Sequence, residues 1–274
     1  MNARALGLAA ARRKGNAVRA RLARVNAEPV IVLGKEKSGT TAIAALLAQH
    51  TGSTVTLDIP ALFGKRMGAI RSGRTDLAEL VRRNRLDFSR GIIKQPSMTW
   101  IYPQVRTVFS QARYLMIVRD PRDNIRSVLN RLDLPGDLDD LDEERFARLP
   151  AAWSWHFESP GILGLRGGNY IELAAERWNL AADTYLNHRD EMLLIRYEDF
   201  LVNKAGCIKR CAEALGLEAR NDISAAVDTQ YQPRGMRDCH LPEFFGERNL
   251  RTIERSCARR MKELGYRPTE PVAR

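Results

Sequence analysis

The sequence predicts an α/β fold, three layers deep (α/β/α), around a central and mainly parallel sheet. Short apolar runs bounded by turns recur along the chain: "PVIVL" at 29, "GIIK" at 91, "YLMIV" at 114 and "EMLLIRY" at 191. Most are followed by segments of helical period, the alternation that buries a parallel sheet between helices. With 274 residues, 44% of them hydrophobic, the chain is long enough for a substantial core.

The elements follow in order. Residues 1–28 carry Arg4, Arg12, Arg13, Lys14, Arg19, Arg21 and Arg24 before any acidic residue, which predicts a basic arm or amphipathic helix ahead of the domain. Its "LGLAAA" is too short and weak for a signal-peptide core, and no apolar stretch approaches the ~20 residues of a membrane helix. Residues 29–274 read as a single domain. After "PVIVL", Ile43, Leu46, Leu47 and His50 make a helical stripe that Gly52 stops. After "YLMIV", Asp120 and Pro121 stand as N-cap and first helical residue, with Ile125, Val128, Leu129 and Leu132 as the buried stripe.

The acidic run "DLPGDLDDLDEER" (133–145) reads as a surface loop or helix start. The aromatic stretch that follows, with Trp153, Trp155, His156, Phe157 and Tyr170, lacks a clean period. Together residues 133–170 read as a cap over the sheet, its aromatics either walling a cleft, where Trp153, Trp155 and Phe157 could stack on sugar rings, or packing as core. Ile171, Ala174, Ala175, Trp178, Ala181, Ala182 and Tyr185 predict a long helix. Leu250, Ile253, Cys257, Met261 and Leu264 predict a covering helix near the end.

Charge narrows the partners. The 44 Lys+Arg exceed the 33 Asp+Glu by 11, which favours polyanions: nucleotides, nucleic acid, anionic glycans or an anionic membrane face. Cys207, Cys211, Cys239 and Cys257 form no C-x-x-C pair and read as free thiols of a reducing compartment, hence a cytoplasmic chain whose arm could touch a membrane surface. No metal ligand set is assigned.

The chemistry gathers in "GKEKSGTT" (34–41), a Gly-bounded turn between a strand and a helix start. Backbone N–H groups there would converge on a tetrahedral anion, with Gly34 and Gly39 permitting close approach. The loop departs from the nucleoside-triphosphate pattern G-x-x-x-x-G-K-[ST], because Thr40 stands where the lysine belongs and Lys37 precedes Gly39. The strand "YLMIV" leads to Arg119, where an ATPase would present a metal-binding carboxylate. A cationic strand end suits a second phosphate.

Together these residues resemble the sulfotransferases that use 3′-phosphoadenosine 5′-phosphosulfate (PAPS), of the P-loop nucleoside-kinase-like fold. In that family K-S-G-T-T grips the 5′-phosphosulfate, and here "KSGTT" occupies 37–41. An Arg at a strand end and a Ser eight residues on hold the 3′-phosphate, and "VRDPRDNIRSV" supplies Arg119 and Ser127, the latter otherwise an ordinary helix serine. "KQP" at 94–96 resembles the family's K-x-P, "IRYEDFLVNKAGCIKRCAEALGL" its Y-E-D segment, and "PRGM" at 233–236 its Arg/Gly loop over the 3′-phosphate.

The resemblance covers residues 28–267. It implies Lys35, Lys37, Ser38, Gly39, Thr40, Thr41, Arg119, Ser127, Tyr197, Arg234 and Gly235 as donor-binding residues, with Tyr197 on the adenine. It implies transfer to a hydroxyl, release of the 3′,5′-bisphosphate PAP, and no required metal. Lys37 would meet charge on the leaving oxygen and Lys94 the acceptor or sulfuryl group. The base is open between Asp58, which stands where carbohydrate enzymes place a longer Glu, and His50 or His156; the phenol-type His after the lysine strand is missing from "KQPSMTW". The match is closer to carbohydrate-type enzymes, so the implied acceptor is a glycan, glycolipid or glycosylated metabolite. The competing readings are an ATP-dependent P-loop kinase or NTPase, which Lys37 and Arg119 oppose, and a basic nucleic-acid-binding protein, which no stacking or binding motif supports.

Overall fold

The computed structural model of the protein describes residues 22–158, 161–231 and 240–268. Its first strand, β1 (Val30–Gly34), is buried throughout, and its residues divide by parity: Ile31 and Leu33 enter one hydrophobic core, Val30 and Val32 another. A strand apolar on both faces is what a sheet covered on both sides requires. The same alternation sends Tyr114, Met116 and Val118 of β4 (Arg113–Val118) into the first core and Leu115 and Ile117 into the second.

With β2 (Val55–Thr56), β3 (Ile92–Lys94) and β5 (Met192–Arg196), these strands form a five-stranded sheet of order β2-β3-β1-β4-β5. Every pairing among the described strands is parallel, with Ile31 opposite Ile93 and Tyr114. The chain thus winds outward in two directions from β1, and the C-terminal ends of β1 and β4 flank the topological switch point where open α/β sheets bind ligands.

Between these strands lie α1 (Thr40–Thr51), α2 (Lys65–Arg71), α3 (Leu77–Arg83), α4 (Tyr102–Val108), α5 (Pro121–Arg131), α6 (Glu143–Ala147), α7 (Ala151–Ser154) and α8 (Tyr170–Leu186). α9 (Tyr197–Val202), α10 (Lys204–Ala214) and α11 (Leu241–Glu263) complete the fold. α1 and α10 contribute to the second core, with Cys207 and Cys211 on the buried face of α10; α4, α5, α8 and α11 contribute to the first. α1 ends where Gly52, at φ 64°, turns its N–H back to Gln49. α5 begins where the Asp120 carboxylate accepts from Arg122 N at 2.9 Å.

One region differs from the sequence-based expectation. The covering helix begins at Leu241, not near Asn249, and breaks at Gly246, whose φ of 65° and ψ of 162° no helix accommodates. Of the two readings of the cap aromatics, core packing holds for Trp155, His156 and Phe157, each 5–6% exposed, while Trp153 is half-buried against the same core. The acidic run is a loop that ends in α6, capped by Asp142 accepting from Arg145 N. Among the described residues, no helix is long and apolar enough to cross a membrane.

Candidate active site

The loop between β1 and α1 is fixed by backbone geometry first. Gly34 has φ 139°, and a Cβ there would lie 2.5 Å from the Ile117 carbonyl oxygen, so only glycine lets the loop leave β1 against β4. Gly39 is the left-handed N-cap of α1, and a Cβ on it would stand 2.3 Å from the Tyr197 ring. No side chain caps α1 and no acidic residue occupies its first turn, so the positive end of the helix faces the loop.

Lys37 sits at φ 67°, a conformation that costs a non-glycine residue roughly 1–2 kcal/mol. Its carbonyl accepts from Arg119 Nη1 at 2.9 Å, which ties the loop to the end of β4. Burial, then the positive charges of Arg131 and Arg119, hold the Lys37 ammonium below the usual lysine range. Arg119 also lies over Tyr197, 4.9 Å from its centroid, and 3.9 Å from Asp123. Ser127 stands one turn beyond Asp123 on α5, half-buried.

Beneath the loop, Asn124 of α5 is fully buried and binds three loop residues at once. Its Oδ1 accepts from Lys35 Nζ at 2.6 Å, and its Nδ2 donates to Glu36 O at 2.8 Å and to Ser38 Oγ at 2.9 Å. Lys35 and Ser38, 2% and 1% exposed, therefore direct their side chains into the protein, and the Ser38 N–H donates to the Lys35 carbonyl at 3.3 Å. Burial, opposed only in part by Glu36, lowers the Lys35 ammonium to about 7.

On the other side of β1, Lys94 ends β3 with its side chain 3% exposed and donates to Asp58 Oδ1 at 2.7 Å. Asp58 is 48% exposed, a carboxylate at the mouth of a buried lysine. Gln95 supports the pair by accepting from Ile59 N at 2.8 Å. Thr40 is buried at the start of α1, and Thr41 beside it is half-buried. Arg234 and Gly235 lie outside the described residues.

The model of the sulfotransferase domain matches residues 27–238. The chain belongs to the sulfotransferase family. No curated protein matches it. Among solved structures, the sulfotransferase STF9 of Mycobacterium avium superposes at TM-score 0.54 and 14% identity, over 92% of this chain and 80% of that one. The mouse sulfotransferase SULT7A1 complexed with PAP also reaches 0.54 at 14% identity, over 90% of each chain. STF1 of Mycobacterium tuberculosis reaches 0.51 at 13% identity, over 89% of this chain and 80% of that one. At such identities the likeness is one of fold.

In this sulfotransferase Arg119 joins the Lys37 carbonyl to the Tyr197 ring, which also faces Gly39, and Lys94 is set with Asp58 across β1. His50 lies away from them, its Nδ1 bonded to the Asn221 carbonyl at 2.8 Å. His156 is 5% exposed beneath the loop, and burial followed by the charge of Arg177 lowers it to about 4. Sequence reasoning did not single out Asn124, Arg177 or Glu36. The hydrogen bonds that join Asn124 and Arg177 to the loop span separations of 86 to 141 residues, and a single sequence carries no local signal for such pairs.

Proposed function

We propose that this sulfotransferase moves the sulfuryl group of PAPS to a hydroxyl of a carbohydrate, glycolipid or glycosylated metabolite. The observation that carries the donor reading is the loop itself: Lys37 held left-handed at an uncapped helix start, with Arg119 bonded to its carbonyl. Cations, helix dipole and glycine-lined backbone converge there on a space suited to an anion. The PAP complex of the mouse structural neighbour supports the same donor.

PAPS supplies a sulfuryl group on a mixed anhydride, whose transfer leaves charge on a 5′-phosphate oxygen. In this reading the amides of residues 39–41 and the Lys37 ammonium neutralise that charge, a positioned-electrostatics role akin to phosphoryl transfer. Arg119 and Ser127 bind the 3′-phosphate, joined by Arg234 and Gly235, and Tyr197 borders the adenine. No metal is part of the proposal, because these cations balance the donor's charge. Asp58, anchored through Oδ1 by Lys94, leaves its other oxygen to take the acceptor's proton. The acceptor class rests on the carbohydrate-type arrangement of Lys94 and Asp58.

Thermal shift with PAP in metal-free buffer tests the donor. At a hundred times Kd, PAP should stabilise the protein by about 2.7 kcal/mol, and Lys37→Ala or Arg119→Ala should remove most of that gain. Stabilisation by ATP with magnesium and none by PAP would overturn the reading. A ³⁵S-labelled donor incubated with fractionated extract then identifies the acceptor, and label outside the carbohydrate-bearing fractions rejects the acceptor class.

A further inference from the structure

Glu36 has no place in anion binding. A carboxylate next to Lys37 would repel a phosphosulfate, and the fold turns it inward. Arg177 Nη2 of α8 meets Glu36 Oε1 at 3.2 Å, and His156 Nε2 lies 3.8 Å from Oε2. Burial, which alone would raise the Glu36 carboxyl, is outweighed by Arg177 and His156, which hold it below the ordinary carboxylate range.

Arg177 is itself immobilised. It is 2% exposed, and its guanidinium carbon lies 3.7 Å from the Trp155 ring centroid and 4.9 Å from that of Trp100. Glu36 Oε2, His156 Nε2, Arg177 Nε and Trp100 Nε1 are all buried without a hydrogen-bond partner among the described residues. A stability-driven core would fill this space with apolar side chains, because an incompletely satisfied buried ion pair contributes little net stability. Its geometry suggests another use. Glu36 is held by side chain from Arg177 and by carbonyl from Asn124, while Lys37 is held by carbonyl from Arg119. The left-handed turn at Lys37 thus lies between two anchored peptide groups, which is how a strained residue is kept in place.

We propose that the Glu36–Arg177 pair, stacked between Trp100 and the cap residue Trp155, is a positioning device that fixes the Lys37 ammonium toward the donor. Glu36 and Arg177 act through Lys37 and touch no substrate. Because Trp155 and His156 belong to the cap, the device ties the placement of the cap to the placement of Lys37. This rests on Lys37 as a donor-contacting lysine.

The test is a mutant cycle read by calorimetric PAP affinity. In the wild-type background Lys37→Met should weaken PAP about 10-fold, and in a Glu36→Gln/Arg177→Met background by less than about 3-fold, since Lys37 is there no longer aimed. A merely structural pair would lower the melting temperature and leave the Lys37 effect at its full size, and that result overturns the proposal. Replacing both partners leaves neither member of the pair as a lone buried charge, and the buried Lys35 loses the attraction of Glu36 and the repulsion of Arg177 together. Should that variant not fold, Trp155→Leu keeps both charges and removes one face of the stack; the Lys37 effect must again shrink, and its full retention overturns the proposal. A wild type that does not bind PAP, or binds it equally well after Lys37→Met, instead rejects the donor reading itself.

Discussion

Lys35 carries an ammonium where almost no water reaches it. Its pKa falls from 10.5 to about 7 through burial, with Asn124 as its hydrogen-bond partner. The unfolded chain therefore binds more protons than the folded one between about pH 7 and 10.5, so this group makes stability rise with pH across that window and weakens the fold below it. Urea denaturation of wild type should show greater stability at pH 9.5 than at pH 7, a slope that Lys35→Met should reduce; an unchanged slope would assign the effect elsewhere. Lys37 two residues on stood out in the sequence because its place before Gly39 breaks a known pattern, and it is the lysine to which the proposed reaction gives the leaving oxygen. Lys35 read as a second donor contact because sequence shows that a residue is basic but not which way it points. The brace that decides its direction, Asn124, looked like any helical asparagine.

At the scale of elements, the strand–loop–helix of β1 and α1 was the most legible part of the chain. Its continuous apolar run, glycine spacing and helical stripe each report a local constraint. The Gly39–Tyr197 contact was invisible, because it joins α1 to α9 across the loop. Gly39→Ala would place a methyl 2.3 Å from the Tyr197 ring at φ 85°, where an alanine is already strained. Ring, loop or both must move. PAP affinity should fall at least ~10-fold and stability by roughly 1–3 kcal/mol, measured by calorimetry and by denaturant unfolding. Retained affinity would mean that the loop binds PAP without Tyr197 in this place. The cap and the start of α11 were harder to read for a related reason: Trp155, His156 and Phe157 have no period because each packs on a different partner, Arg177, Glu36 and Tyr170 in turn, and Gly246 interrupts a helix whose two halves share one side of the core.

For the whole molecule, the parallel sheet and its two covering layers followed from alternation alone, while strand order did not, since the runs say nothing of which strands neighbour each other. That order matters to function. β1 lies between β3 and β4, so Lys94 with Asp58 falls on one side of the loop and Arg119 with Ser127 on the other. In the proposed reaction, Asp58→Asn should lower turnover by about 10²–10⁴-fold with PAP affinity within about 2-fold of wild type. Arg119→Ala should weaken PAP directly, and a large loss of PAP affinity in Asp58→Asn would show that the two flanks are not separate. Such a division has an evolutionary consequence. In the proposed reaction, the neighbours of Asp58 and Lys94 within residues 55–101 are free to change to suit a new hydroxyl compound while those two residues and the β1–β4 flank stay constant, so lineages of this fold would diversify in what they modify and still draw on one shared activated-sulfate pool.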